Sequence, residues 1–476
     1  MNVILILHAL LVLVFTVRIL LRDDISPPGR LAWFIVLNVL PYFGSVTYFL
    51  FGEIDIGKRT NSRYVEVFTE IKAKAAQFMG EPTSTGELIE RIYQPAFHYA
   101  SSINGFYPLG ANAAQLMTDS EHTLTQMVAD IDAATDHVHV LFYIWLTDHA
   151  GTQLAQALIC AAQRGVTCRA MADGLGSRAL IKSELWQGMK ESGVQVAVAL
   201  PFKNLIHTLL TSRLDLRNHR KITVIDSRIT YCGSQNAADP EFLVKERYGP
   251  WIDIMLRLEG PVVAQNQLLF ASDWMHSTGE SLEVITLKAE PVEGGFPAHV
   301  MGVGPTERRG ATPQLFSNLF ACAEHRLTLT TPYFVPDATV LDALCAAAYR
   351  GVEVTLIYPK VNDSWIVAAA SRSYYHRLLD AGCVIYEHRE GLLHSKTLTV
   401  DGKVSLIGSS NLDLRSFGLN FENNILLQDE TITQAITERQ QHYIDQSDEV
   451  TLSEVLAWRH YQRIWHNVIA TIGPVL

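Results

Sequence analysis

The chain opens with two long apolar runs separated by a polar turn. Residues 2–21 and 31–51 are almost wholly hydrophobic, and "RDDISPPGR" lies between them. Each run approaches the roughly 20 residues that a helix needs to span a bilayer, so the pattern predicts a transmembrane helical hairpin within residues 1–55. His8 and Arg18 interrupt the first run, Arg18 near enough to its end to snorkel, and Pro41 predicts a kink in the second. The first run has no basic n-region and no A-x-A cleavage site, and a second run follows at once, so a retained anchor is expected. Lys58, Arg59, Arg63, Lys72 and Lys74 follow the hairpin, against Arg22 and Arg30 in its loop. That bias predicts a multi-pass protein of the bacterial cytoplasmic (inner) membrane with its main body in the cytoplasm. Residues 56–110 carry a helical pattern and are expected to form a connector.

From residue 111 the pattern alternates between strands and helices, and it does so twice. "VHVLFYIWLTD" and "LTLTTPYFVPD" each predict a strand and a loop that ends at Asp148 or Asp337. An alanine-rich helical stretch follows in both cases and closes on Arg-Gly-Val, the glycine acting as C-cap. Apolar strands come next, "TCRAMADG" and "EVTLIYP". The expected fold class is α/β, with two pseudo-symmetric domains of mixed sheets flanked by helices, at 111–290 and 291–476. The second ends in an amphipathic helix, expected to pack on the body through Trp458 and Trp465.

The repeat also carries chemistry. "HRKITVID" at 219–226 and "HSKTLTVD" at 394–401 share the spacing H-x-K-x-x-x-x-D. Gly233, Ser234 and Asn236 follow the first copy at the offsets at which Gly408, Ser409 and Asn411 follow the second. Alternation along a strand puts each His and Lys on one face, roughly 6–7 Å apart, within reach of one small anion. One motif supplies one imidazole; two motifs brought face to face supply a nucleophile for phosphorus and an acid for the departing oxygen. His219, Lys221, Asp226, His394, Lys396 and Asp401 are therefore the candidate catalytic set. The lysines would hold phosphoryl oxygens, with Ser234, Asn236, Ser409 and Asn411 as neutral donors. Each imidazole needs an acceptor on its second nitrogen. Glu422 in "LNFENN" is the candidate for His394, and Asp253 in "PWIDIM" the candidate for His219.

Composition narrows the substrate. Lys and Arg number 38 against 49 Asp and Glu, a formal charge of −11, which suits a nucleic-acid enzyme poorly. Local charge differs: Arg213, Arg217, Arg220 and Lys221 surround the first motif and Arg415 follows the second, positioned to attract an anionic headgroup. The six cysteines are scattered without a C-x-x-C pair, so no zinc site is expected, and no G-x-x-x-x-G-K-[ST] loop is present. The expected cofactor set is empty.

These motifs resemble the phospholipase D superfamily, and "LPYFGSVTYFLFGE", "FYIW" and "SSNLDLRSFGLNFENN" resemble the bacterial cardiolipin synthases within it. The resemblance implies phospholipase D-like domains, one active site built from two halves, and a phosphohistidine intermediate. It makes His219 the nucleophile and His394 the acid and then base, an order that the near-symmetric motifs do not themselves define. It implies phosphatidylglycerol and membrane lipids as partners and no nucleic acid. The reaction implied is the joining of two phosphatidylglycerols into cardiolipin with release of glycerol. Hydrolysis with water as acceptor is the alternative, and nuclease activity a weaker one.

Overall fold

The computed structural model describes residues 2–23, 25–40, 42–52, 58–201 and 215–471. By compactness the chain separates into a small unit that holds residues 1–61 and a large one that holds 62–201 and 217–474.

In the small unit, helices Asn2–Leu20, Pro27–Val39 and Phe43–Phe51 follow one another. Ser26 caps the second, accepting a hydrogen bond from the Gly29 amide, with the Pro pair in the first turn where no donor is missed. Ile19, Leu37 and Tyr48 form a small core with Phe15 and Trp33. Most other apolar side chains of the first helix are exposed, among them Leu7, Leu10, Leu13 and Val14. The second apolar run is not one helix. It breaks between residues 39 and 43 into segments of 13 and 9 residues, about 20 and 14 Å long, against a hydrocarbon core of about 30 Å. Pro41, expected to kink the run, lies outside the described residues. Among the described residues, no helix is long and apolar enough to cross a membrane.

The large unit is built on a 16-stranded mixed sheet in which the sequence repeat becomes a repeat of topology. In the first half the strands lie in the order Leu109–Leu116, Met255–Glu259, Ile229–Gly233, Ile222–Ile225, His137–Phe142, Thr167–Asp173, Gln195–Ala199. In the second half the order is Phe296–Val303, Asn420–Gln428, Val404–Gly408, Thr397–Val400, Arg326–Thr330, Glu353–Pro359, Val384–His388, with Ser447–Val450 added at the edge. The two lead strands pair antiparallel, Leu109 opposite Ala298 and Asn112 opposite Phe296. The halves therefore share one sheet. Asp148 and Asp337 cap helices His149–Gln163 and Ala338–Tyr349, accepting from the amides of Gly151 and Val340. Gly165 and Gly351, at φ +93° and +90°, turn the chain out of those helices.

The glycine that precedes each motif serine has a steric reason. A Cβ on Gly233 would stand 2.2 Å from the carbonyl oxygen of Ile254, and one on Gly408 would stand 2.3 Å from that of Asn423. Ile254 follows Asp253 on the link between strands Trp251–Ile252 and Met255–Glu259, and Asn423 follows Glu422 on strand Asn420–Gln428, so each motif strand can lie against a carboxylate-bearing segment only without a side chain. Gly188, inside helix Glu184–Glu191, has nothing within 4 Å of its Cβ position. In thermal unfolding, Gly408→Ala is expected to destabilise by about 1–3 kcal/mol. Gly188→Ala is expected to stabilise by up to about 1 kcal/mol. Equal midpoints for the two variants would contradict the close-approach account.

Candidate active site

Each histidine sits just before a strand, not in it. The regular strands cover Ile222–Ile225 and Thr397–Val400, and His219, Lys221, His394 and Lys396 lie on the lead-in segments. Those segments are held by the opposite half. Arg217–Asn218 pairs in parallel with Asn420–Phe421, and the His219 amide donates to the Phe421 carbonyl at 2.8 Å. Leu392–Leu393 pairs in parallel with Trp251–Ile252, and the His394 amide donates to the Ile252 carbonyl at 2.9 Å.

This exchange corrects the expected pairing of histidines and carboxylates. His219 Nδ1 lies 2.8 Å from Glu422 Oε2, and His394 Nδ1 lies 2.6 Å from Asp253 Oδ1. Glu422 thus serves the first motif and Asp253 the second. The reason is the parallel ladder: each histidine is laid beside the strand of the other half, so the carboxylate one residue past the ladder is the one it meets.

The motif serines hold these carboxylates and do not act as phosphate donors. Ser234 Oγ donates to Asp253 at 2.6 Å, and Ser409 Oγ donates to Glu422 at 2.5 Å. Glu422 accepts further bonds from Ser416 Oγ at 2.9 Å and Asn420 Nδ2 at 3.1 Å. An ionised carboxylate can only accept, so each imidazole carries its proton on Nδ1 and presents a lone pair on Nε2.

Asp226 and Asp401 are also placed differently from expectation. They lie at the far ends of their strands, about 20 Å of chain from the histidines. Asp226 accepts from the amides of Thr135, Asp136 and His137, and Asp401 from those of Glu324, His325 and Arg326. Both have positive φ, +51° and +52°. They clamp the turn that enters the neighbouring strand and do not belong to a catalytic set.

The lysines are buried beside the histidines. Lys221 Nζ donates to the His219 carbonyl at 2.7 Å, and Lys396 Nζ to the His394 carbonyl at 2.5 Å. Burial pulls the Lys221 ammonium down to about 8, against the pull of Glu422 and Asp253. Burial, with Lys221 adding to it, brings Lys396 to about 7. Burial also holds both imidazoles near 4, although Glu422 and Asp253 oppose it. Asp253 falls to about 2, because His394, Lys396 and Ser234 outweigh its burial. Glu422 is lowered for the same reasons, through His219, Lys221 and Ser409.

His219 and His394 line one open cavity of about 430 Å³. Tyr143 lies edge-on to His219 at 4.8 Å, and Trp251 packs against His394 at 4.4 Å between ring centres. Asn236 and Asn411 line the cavity as expected; the Asn236 Nδ2 and Asn411 Oδ1 atoms are buried without a protein partner. Arg217 and Arg415 line it too. Arg220 turns away to pair with Asp273 at 2.8 Å, and Arg213 lies outside the described residues. Asn420, Ser416, Trp251 and Tyr143 were not foreseen. The stretch "RSFGLNFENN" held the first two, but only the ladder shows that they converge on one carboxylate. Such a cavity suits an anion that meets two imidazoles at once.

A family model described as "Cardiolipin synthase, PLD-like domain" matches residues 127–270 and 316–444, so it covers both halves of this site. The chain belongs to the cardiolipin synthase family of phospholipase D-like proteins. A second family model, "Phospholipase_D-nuclease N-terminal", matches residues 10–53. Curated family members named cardiolipin synthase A agree along nearly the whole chain. The Serratia proteamaculans protein is 35% identical over 97% of this chain and 94% of its own length. That of Edwardsiella ictaluri is 34% identical, over 98% and 96%. Among solved structures, phosphatidylserine synthase from Haemophilus influenzae shares the fold, with a TM-score of 0.60, 15% identity, and coverage of 81% of this chain and all of that one.

The crossed pairs lead to a direct spectroscopic expectation. Glu422→Gln should move the Nδ1–H proton resonance of His219 upfield by weakening a charge-assisted bond, and leave that of His394 in place. Asp253→Asn should do the reverse. A His394 resonance that moved with Glu422→Gln would contradict the exchange.

Proposed function

We propose that this chain makes cardiolipin and glycerol from two molecules of phosphatidylglycerol, by phosphatidyl transfer through a histidine. The observation that carries the reading is the single cavity lined by both imidazoles, each fixed through Nδ1 by a carboxylate from the opposite half. Family membership along nearly the full chain, with relatives named cardiolipin synthase A, supplies the substrate class.

The steps follow from the groups present. His219 Nε2 attacks phosphorus while the bond to the headgroup glycerol oxygen breaks. His394 gives that oxygen its proton, so free glycerol leaves and a phosphatidyl-histidine remains. A hydroxyl of a second phosphatidylglycerol loses its proton to His394 Nε2 and attacks the same phosphorus. The P–N bond breaks, and cardiolipin leaves. Each step exchanges one bond to phosphorus for another, so no nucleotide is consumed. In the empty site both imidazoles are neutral at pH 7. The incoming phosphodiester supplies negative charge between them, which favours a proton on His394 and on the two lysines. Lys221 and Lys396 balance the anion, and the Asn236 amide offers a donor to it.

The halves at 111–290 and 291–476 each contribute one histidine in this scheme. The N-terminal apolar helices are the membrane anchor, and the catalytic region is cytoplasmic. The exposed apolar side chains of helix Asn2–Leu20 and the basic residues after the hairpin support that placement.

Purified full-length protein given phosphatidylglycerol alone, without nucleotide, should release cardiolipin and glycerol in equal amounts. His219→Ala and His394→Ala should each lower that rate at least ~10²–10⁴-fold. Phosphatidic acid with glycerol, and no cardiolipin, would make water the acceptor and overturn the reading. The pH profile of kcat/KM reports the free enzyme. Because one imidazole must be neutral and the other protonated, and both titrate near 4 in the empty site, it should peak near pH 4, decline as the pH rises, and steepen above about pH 7–8 as Lys396 and Lys221 lose their protons. A profile flat to pH 10 would remove the lysine charge from substrate capture.

A further inference from the structure

The catalytic cavity opens beside a large apolar surface that its chemistry does not use. Helix His460–Thr471 buries Ile469 against Ala369, Ala370 and Val335. The stripe that borders Ile469, made of Tyr461, Ile464, Trp465 and Val468, recurs at i, i+3, i+4 and i+7 and is exposed, Ile464 by 63%. An amphipathic helix normally turns such a stripe inward. Here the apolar band is wider than the body covers, and most of it faces outward.

The exposed stripe is continuous with the cavity mouth. Trp465 stacks on Trp365 at 5.8 Å and 13°, and Trp365 is itself 60% exposed. Ser364 and Val367, on either side of it, line the cavity. Lys245 Nζ pairs with Asp363 Oδ2 at 2.6 Å and so ties a second exposed segment to the same rim. That segment brings Leu243, 69% exposed, and Val244, which also lines the cavity. Arg247, Arg459 and Arg463 stand exposed along these elements.

We propose that this rim is laid into the headgroup layer of an anionic bilayer, with Leu243, Ile464 and the Trp365–Trp465 pair reaching the acyl boundary. The inference rests on the proposed lipid substrate and adds how that substrate arrives. Tryptophan and tyrosine settle at the membrane interface because one end is apolar and the other polar. The arginines meet the negative lipid surface. A phosphatidylglycerol can then slide its headgroup into the cavity while its acyl chains stay out of water.

The test uses the full-length protein in vesicles of phosphatidylglycerol and phosphatidylcholine, in a Cys160→Ser background whose other cysteines are buried. An environment-sensitive fluorophore is placed on Ile464→Cys, on Leu243→Cys and, as control, on Glu191→Cys. The rim labels should emit at shorter wavelength and be quenched by nitroxide on the lipid acyl chains several-fold more than the Glu191→Cys label. Quenching equal to the control would overturn the proposal. So would a short-wavelength emission that lipid nitroxide leaves unquenched, since a protein surface would then cover the rim. In a second measurement, Ile464→Glu with Leu243→Glu should lower the ratio of turnover on vesicles to turnover on monomeric short-chain phosphatidylglycerol at least ~10-fold, the scale of losing one buried leucine. An unchanged ratio would overturn it. Absence of cardiolipin from the unsubstituted protein in both forms would sink the functional reading instead, while the quenching experiment would still report on the rim.

Discussion

Two buried hydrogen bonds organise this molecule: Glu422 to His219 and Asp253 to His394. Each joins an imidazole of one half to a carboxylate of the other, so neither half holds a complete acid–base pair of its own. The Glu422 and Asp253 side chains are 0% and 7% exposed, and an enclosed carboxylate is costly unless it is paired and hydrogen-bonded. The neighbouring polar side chains answer that cost. Ser409, Ser416 and Asn420 converge on Glu422, and Ser234 on Asp253. Much of what looks in the motif like a phosphate cradle is in fact support for the two anions that orient the histidines.

The shared sheet makes this exchange rigid. Short parallel ladders carry each histidine to the opposite half, and the glycines at 233 and 408 let the carboxylate strands come close. Asp226 and Asp401 act at the other end of the same strands, where each gathers three backbone amides. The halves are not identical. Arg220, between the first His and Lys, makes a buried ion pair with Asp273 and donates to the Glu422 carbonyl. Ser395, in the same place in the second motif, bonds Tyr443 and the Ile252 carbonyl. A charged network therefore backs the Glu422 strand where a neutral one backs the Asp253 strand.

Much of the fold could be read from the chain because its signals are local. The repeated strand, capped helix and Arg-Gly-Val turn each depend on neighbours within one helix or strand, and they lie where the pattern puts them. Both histidines and both asparagines could be found for the same reason, since the motif repeats at fixed offsets. The carboxylate partners could not be assigned correctly. Glu422 is 28 positions from His394 but 203 from its true partner His219, and only the crossing of the halves reverses the nearer choice. Asp226 and Asp401 were misread because a motif records spacing and not direction: a four-residue strand takes each aspartate away from the cavity. Pro41 marks the second apolar run for a kink, but the unbroken hydrophobicity on either side gives no sign that the helix ends at Val39 and a separate one begins at Phe43.

The central claim is that one half supplies the nucleophile and the other half's carboxylate prepares it. The most direct test is to mix full-length protein with labelled phosphatidylglycerol, stop the reaction within milliseconds in alkaline denaturant, and locate the phosphorus-bearing peptide by mass spectrometry. The account predicts a phosphatidyl adduct on His219, with less of it formed when Glu422 is replaced by Gln. An adduct on His394 alone, or turnover to cardiolipin with no adduct on either histidine, would contradict it.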